Sequence, residues 1–214
     1  MIPTRQLKAL IWAVLIVLMI GLGIQGKLQG ATADDLIHSY SYVLSSMAVL
    51  LWCWNRFLWH WWPFYPWFHK QPYIKGTWKG ILQSTYIDPE THQVKPPLEI
   101  YLVVRQTYAE TDVRLFSLES RSVSLSANFV SPNVDEYLLA STYRNTPSIL
   151  RRKQSPISHG GLLLYVRGAP IHRLEGEYWT DRETKGEILL SERMKGKLAD
   201  DFQQAQGFAY RPLQ

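Results

Sequence analysis

Two short stretches of this sequence concentrate its chemically active side chains. Tyr143-Arg144-Asn145-Thr146-Pro147 sets an aromatic ring, a guanidinium and an amide side by side. Tyr178-Trp179-Thr180-Asp181-Arg182-Glu183-Thr184 repeats the theme and adds hydroxyls. Arg105, Gln106 and His159 supply further polar groups near the ends of apolar runs. Such side chains stack on flat rings, donate hydrogen bonds and pair with anions. They make poor catalytic machinery. The six histidines (His38, His60, His69, His92, His159 and His172) show no metal-ligand spacing. No G-x-S-x-G elbow, Walker loop or G-x-G-x-x-G turn occurs after a strand-like run. Ser158 and His159 are adjacent, but a triad is defined by geometry and not by neighbouring numbers. The chain reads as a binder and not an enzyme, with no cofactor and no metal site.

The elements that must position these groups are strands. From Ser158 to Arg193, β-prone runs at 162–167, 171–180 and 187–193 are split by Gly168-Ala169-Pro170 and by the polar turn 181–186. Five more runs precede them, at 76–82, 98–107, 112–119, 122–130 and 136–144. In the second, Leu98, Ile100, Leu102 and Val104 share a face; in the fourth, Val123, Leu125 and Ala127 alternate with Ser122, Ser124 and Ser126. By the same parity Tyr178, Thr180 and Arg182 share one face and Trp179 takes the other, while Tyr143 and Asn145 lie opposite Arg144. Consecutive strands with mostly short links predict an antiparallel meander, which closes into an eight-stranded up-and-down barrel. A β-sandwich is the competing architecture. A short helix is predicted over 198–206, packed on the barrel.

Gly76-x-Trp78 on the first strand is similar to the opening motif of lipocalins. There the tryptophan closes one barrel end, and an arginine of the last strand lies across it. Arg193 and Arg182 are the candidates here, with a cation–π contact as the physical reason.

The first seventy residues are different. Leu7 to Ile24 is almost continuously apolar, which predicts a first membrane span at about 7–26. A signal peptide fits less well, because the run is long and Ala31-Thr32-Ala33 is a weak cleavage site. A second span is predicted at about 36–62, its helix running from about Leu36 to Arg56 so that Arg56 lies near the headgroups. Six of the nine tryptophans fall between Trp52 and Trp67. Trp52, Trp54, Trp59, Trp61 and Trp62 among them predict an interfacial aromatic belt. Two domains follow: a membrane hairpin over 1–70 and a barrel over 71–214.

Of the formal net charge of +5, +3 lies in 1–70 and +2 in 71–214. The second part is too weakly basic for a DNA- or RNA-polymer binder. The sole cysteine, Cys53, cannot form a disulfide within the chain, which points to a reducing compartment. Arg5 and Lys8 precede the first span, and Arg56, Lys70 and Lys75 follow the second. The positive-inside rule then predicts both termini and the barrel in the cytoplasm.

The motifs GTWKGIL, IYLVVRQT, SVSLSA, TYRNTP, HGGLLL and LEGEYWTDRETKGEI, behind a double span, resemble one bacterial family. These are the SMODS-associating two-transmembrane, β-strand-rich effectors of cyclic-oligonucleotide antiphage systems (CBASS). The resemblance implies a minimal lipocalin-like barrel that senses a cyclic dinucleotide made by a partner nucleotidyltransferase (CD-NTase). It also implies self-association into homo-oligomers and disruption of inner-membrane lipid, ending in abortive infection. Such a ligand needs cations for two phosphates and planes for two bases. The candidates are Arg105, Gln106, Tyr143, Asn145, His159, Tyr178, Thr180 and Arg182. A membrane-tethered lipocalin-like carrier of lipid or another apolar ligand is the alternative function, and a filled, purely structural barrel a third.

Overall fold

The computed structural model describes residues 12, 16, 33–61, 71–87, 92–133, 136–152, 155–168 and 170–210. The chain divides into two compact units, Met1–Lys70 and Gln71–Gln214.

In the first unit, helix α1 spans Ala33–Arg56. It stops at Arg56, and a short 3-10 turn, Leu58–His60, follows. The helix of the second predicted span thus ends at Arg56, as expected, and 58–60 form a separate turn. Among the described residues no helix is long and apolar enough to cross a membrane. The reason is visible in α1 itself: Asp34, Asp35, His38 and four serines dilute its apolar content. Of the predicted first span only Trp12 and Ile16 are described, both helical and exposed. Trp52 and Trp61 are exposed, as is Arg56, whereas Trp59 is buried and Trp54 partly so. Trp62 lies outside the described residues.

The second unit is a closed antiparallel barrel of eight strands in sequence order. The strands are β1 (Gly76–Ser84), β2 (Leu98–Gln106), β3 (Thr111–Ser117) and β4 (Ser120–Asn133). They continue with β5 (Glu136–Pro147), β6 (Ser158–Arg167), β7 (Arg173–Thr180) and β8 (Lys185–Lys195). Closure comes from β1 pairing with β8, Gly76 opposite Lys195 through Ser84 opposite Gly186. A meander that returns its last strand to its first leaves no unpaired edge. The sandwich alternative is excluded by this register.

Alternation explains the interior. Ile100, Leu102 and Val104 of β2 join Trp78, Leu139, Leu164, Leu174 and Leu190 in the main core. Strand β2 is apolar on its outer face as well, because Tyr101 and Val103 are covered from outside by Ala199, Phe202, Ala205 and Phe208. Phe202 and Ala205 belong to helix α2, Phe202–Gln206, and the other two flank it; its start is capped where Asp201 Oδ1 accepts from the Gln204 amide at 2.7 Å. Alternation fails in β4. A bulge between Ser124 and Ser126 adds one residue, so Ser122 and then Ala127 face inward while Leu125 is left exposed. The predicted shared face of Val123, Leu125 and Ala127 does not exist.

One end of the barrel is plugged. Trp78 is fully buried, and its indole N–H donates to Ile74 O at 2.9 Å. The Arg193 guanidinium lies 5.0 Å from the Trp78 ring and 5.7 Å from that of Tyr73. Its Nη2 donates to Tyr73 O at 3.0 Å and Lys75 O at 2.8 Å. Burial lowers the Arg193 pKa to about 10, against the pull of Tyr73. The group is still charged at neutral pH. Since a folded pKa below the unfolded one makes stability rise with pH only between the two values, the cost of burial is constant below pH 10. Gly76 takes a φ of 144° beside this plug, where a Cβ would sit 2.6 Å from Met194 O. Replacing Arg193 with leucine removes a cation–π contact worth ~0.5–2 kcal/mol and strands two carbonyls. We expect a loss of about 2 kcal/mol or more, read as a lower urea midpoint.

Candidate functional site

The other end of the barrel is open. A cavity of about 460 Å³ lies there, bounded by the ends of all eight strands and by their connecting turns. Its floor is apolar, made by Leu82, Ile100, Val113, Leu115, Leu162 and Ile188. Its wall carries the hydroxyls of Ser84, Ser122, Ser141, Ser158, Thr180 and Thr184, with Tyr143 and Tyr178 among them. Two cations reach it, Lys95 and Arg182. Lys95 is already paired with Glu119 at 2.8 Å, joining the β1–β2 loop to the β3–β4 turn. Arg182 donates through Nη1 to Ser155 Oγ at 2.9 Å, and among the described residues no carboxylate pairs with it.

The turn that carries Arg182 is fixed by its own hydroxyls. Thr180 Oγ1 and Thr184 Oγ1 lie 2.6 Å apart, and the Arg182 amide donates to Thr180 Oγ1 at 3.2 Å. On β5, Ser122 Oγ donates to Asn145 Oδ1 at 3.1 Å, which leaves the Asn145 amide nitrogen as a donor at the wall.

The tyrosines owe their positions to glycines across the sheet. Tyr143 pairs with Gly160, and Tyr178 with Gly186. A Cβ on Gly160 would meet Trp179 O at 2.1 Å and the Tyr143 hydroxyl at 2.7 Å. One on Gly186 would meet Gln83 O at 2.1 Å and the Tyr178 ring at 2.8 Å. Each ring thus lies down on a bare stretch of backbone, the packing known as aromatic rescue of a strand glycine. Burial pushes the Tyr143 phenol up, with Tyr178 and Asp181 adding to it. Burial also raises Tyr178, opposed by a hydrogen bond from Ser84. Both remain neutral at physiological pH, and the Tyr143 hydroxyl donates to Trp179 O at 3.3 Å. Gly186→Ala is expected to lift the Tyr178 ring and cost about 1–3 kcal/mol. Near-ultraviolet circular dichroism and a urea melt check both effects.

The structure brings Tyr143, Asn145, Tyr178, Thr180 and Arg182 into one cavity, on the faces that strand parity predicts. It places the other three candidates elsewhere. Arg105 ends β2 at the plugged end and pairs with Asp200 at 2.7 Å. Gln106 is buried there, accepting from the Ile74 amide at 3.0 Å and donating to Pro72 O at 2.9 Å. His159 points out of the barrel, and its amide donates to Asp181 Oδ2 at 3.0 Å. Residue type had suggested these three, but β2 runs away from the mouth and His159 has the wrong parity. The serines of the wall, and Lys95, were not singled out from the sequence. Their signal was the Ser/polar face of β4 and the long β1–β2 loop.

The chain is thus a closed eight-stranded meander barrel with one end plugged by Trp78 and Arg193 and a mixed apolar and hydroxyl-lined cavity at the other. Residues 69–192 match the family model described as "Cap15, cyclic dinucleotide receptor domain". The chain therefore belongs to the Cap15 cyclic dinucleotide receptor domain family. It is also 28% identical over 154 residues to "CD-NTase-associated protein 15" of Staphylococcus schleiferi, covering 72% of this chain and 78% of that protein. The CBASS effector resemblance drawn from the motifs is thereby shown, and the motifs from GTWKGIL to LEGEYWTDRETKGEI all lie within the matched residues.

Proposed function

We propose that this protein is a CBASS effector that takes a cyclic dinucleotide, made by a partner CD-NTase, into the open end of its barrel. The observation that carries this reading is one cavity combining two neutral phenol rings with a guanidinium that no described carboxylate neutralises. Tyr143 and Tyr178 supply faces for the bases. Arg182 meets a phosphate, with the wall hydroxyls and Asn145 completing its hydrogen bonds. The second phosphate draws Lys95 away from Glu119.

On this reading the apolar residues of 1–70 lie in the bacterial inner membrane, with both termini and the barrel in the cytoplasm. Ligand favours homo-oligomers, and the crowded Trp-rich segments break the bilayer. A ligand shifts such an equilibrium only by its preference for the assembled state. Full-length protein in detergent is expected to bind cyclic dinucleotides in calorimetry, and in liposomes to release dye only when one is added. Absence of heat across a panel of cyclic di- and trinucleotides sinks the sensing step, and ligand-bound protein that leaves liposomes sealed sinks the membrane step. The apolar floor supports the second reading, a tethered carrier of lipid. Mass spectrometry of the extracted protein separates the two, since a carrier brings lipid with it.

A further inference from the structure

Three of the most exposed aliphatic side chains in the barrel sit together beside its mouth. Leu118 in the β3–β4 turn is 80% exposed, and Ile149 and Leu150 in the β5–β6 loop are 78% and 93% exposed. The two loops are fastened to each other. The Ser148 amide donates to Glu119 O at 3.0 Å, and Ser120 pairs with Pro147. They therefore form one stiff apolar ridge. A cluster of apolar side chains left exposed together marks a surface that a partner covers.

The ridge is ringed by cations. Arg121 and Arg144 are on the outer face of β4 and β5, because Ser122, Tyr143 and Asn145 face the cavity. Arg121 pairs with Thr146, two residues along β5 from Arg144. Arg152 follows the loop, and all three side chains are exposed. Among the described residues none of the three is in an ion pair. The nearest acid along the chain, Glu119, is held by Lys95 at 2.8 Å. Exposed aliphatics on a ridge, flanked by unneutralised arginines, complement a surface that is apolar beneath and anionic on top. A second protein copy fits less well: a stable protein pair buries on the order of 1,200 Å² or more, and two loop tips offer only a narrow ridge.

We infer that Leu118, Ile149 and Leu150 insert into an anionic lipid surface, with Arg121, Arg144 and Arg152 on the headgroups. This surface is distinct from the ligand cavity, and the inference does not depend on what the cavity binds. The same two loops border the cavity mouth through Glu119, Ser120 and Pro147, so that cavity occupancy and lipid contact act on both.

The test uses the full chain with Cys53→Ser and Leu150→Cys, carrying an environment-sensitive fluorophore at 150. Vesicles are phosphatidylcholine alone or with phosphatidylglycerol added. The expected result is a blue shift at 150, with quenching by spin-labelled lipid, only when phosphatidylglycerol is present. A fluorophore at Arg173→Cys, on the β7 end away from the mouth, should stay in water. Each of R121Q, R144Q and R152Q should weaken the response about fivefold; these side chains are exposed, so the variants fold. The inference is overturned if position 150 stays wet on anionic vesicles. It is equally overturned if 150 dries to the same degree on phosphatidylcholine alone. Drying that follows protein concentration without lipid would overturn it in favour of a second copy.

Discussion

Trp78→Ala is expected to lower the stability of the barrel by about 3–5 kcal/mol, the range for emptying a large aromatic from a packed core. Against a typical total of about 5–15 kcal/mol, such a loss leaves a marginal domain. The indole is fully buried at the plugged end and is anchored through its N–H to Ile74 O. Its removal also takes the aromatic face from the Arg193 guanidinium, which then lies buried with less to compensate its charge. A urea titration followed by the remaining tryptophans measures the change. Trp78→Phe should recover part of it, because a ring still fills much of the space. A loss below about 1 kcal/mol for the alanine variant would mean that the plug is not part of the cooperative core.

Arg182→Ala should weaken cyclic dinucleotide binding about 10- to 100-fold, as expected for losing a charge-assisted hydrogen bond. Stability should hardly move, since the side chain is half-buried and makes a single bond to a neutral hydroxyl. Calorimetry at several salt concentrations is the informative measurement. Removing the cation should also flatten the salt dependence of binding, which a packing defect would not do. Arg182→Lys should restore the salt dependence but only part of the affinity, because an ammonium lacks the planar fork. Unchanged affinity and salt dependence in Arg182→Ala would place the phosphates elsewhere in the cavity.

Which arginine meets Trp78 illustrates how far the sequence reaches. Both Arg193 and Arg182 were candidates for the plug. Simple alternation from Ile188 and Leu190 would turn Glu192 inward. The register slip between Lys79 and Gly80, opposite β8, adds one residue and turns Arg193 inward instead. That slip depends on how two strands far apart in sequence meet, and no local pattern encodes it. Arg182, in the turn between β7 and β8, lies at the opposite end and lines the cavity.

By itself the sequence determined the number and order of strands, the two-part division of the chain, and which side chains share a face, Tyr143 with Asn145 and Tyr178 with Thr180. Period-two alternation and turn residues are local properties, so they survive without a structure. It also carried the family motifs, whose residues lie in the matched domain. Tertiary structure alone decided which ends of the strands form the mouth. It therefore places Arg105 and Gln106 away from the cavity and Lys95 and the serines along it. Distance from the mouth is set by barrel closure and strand direction together, and both belong to the assembled sheet.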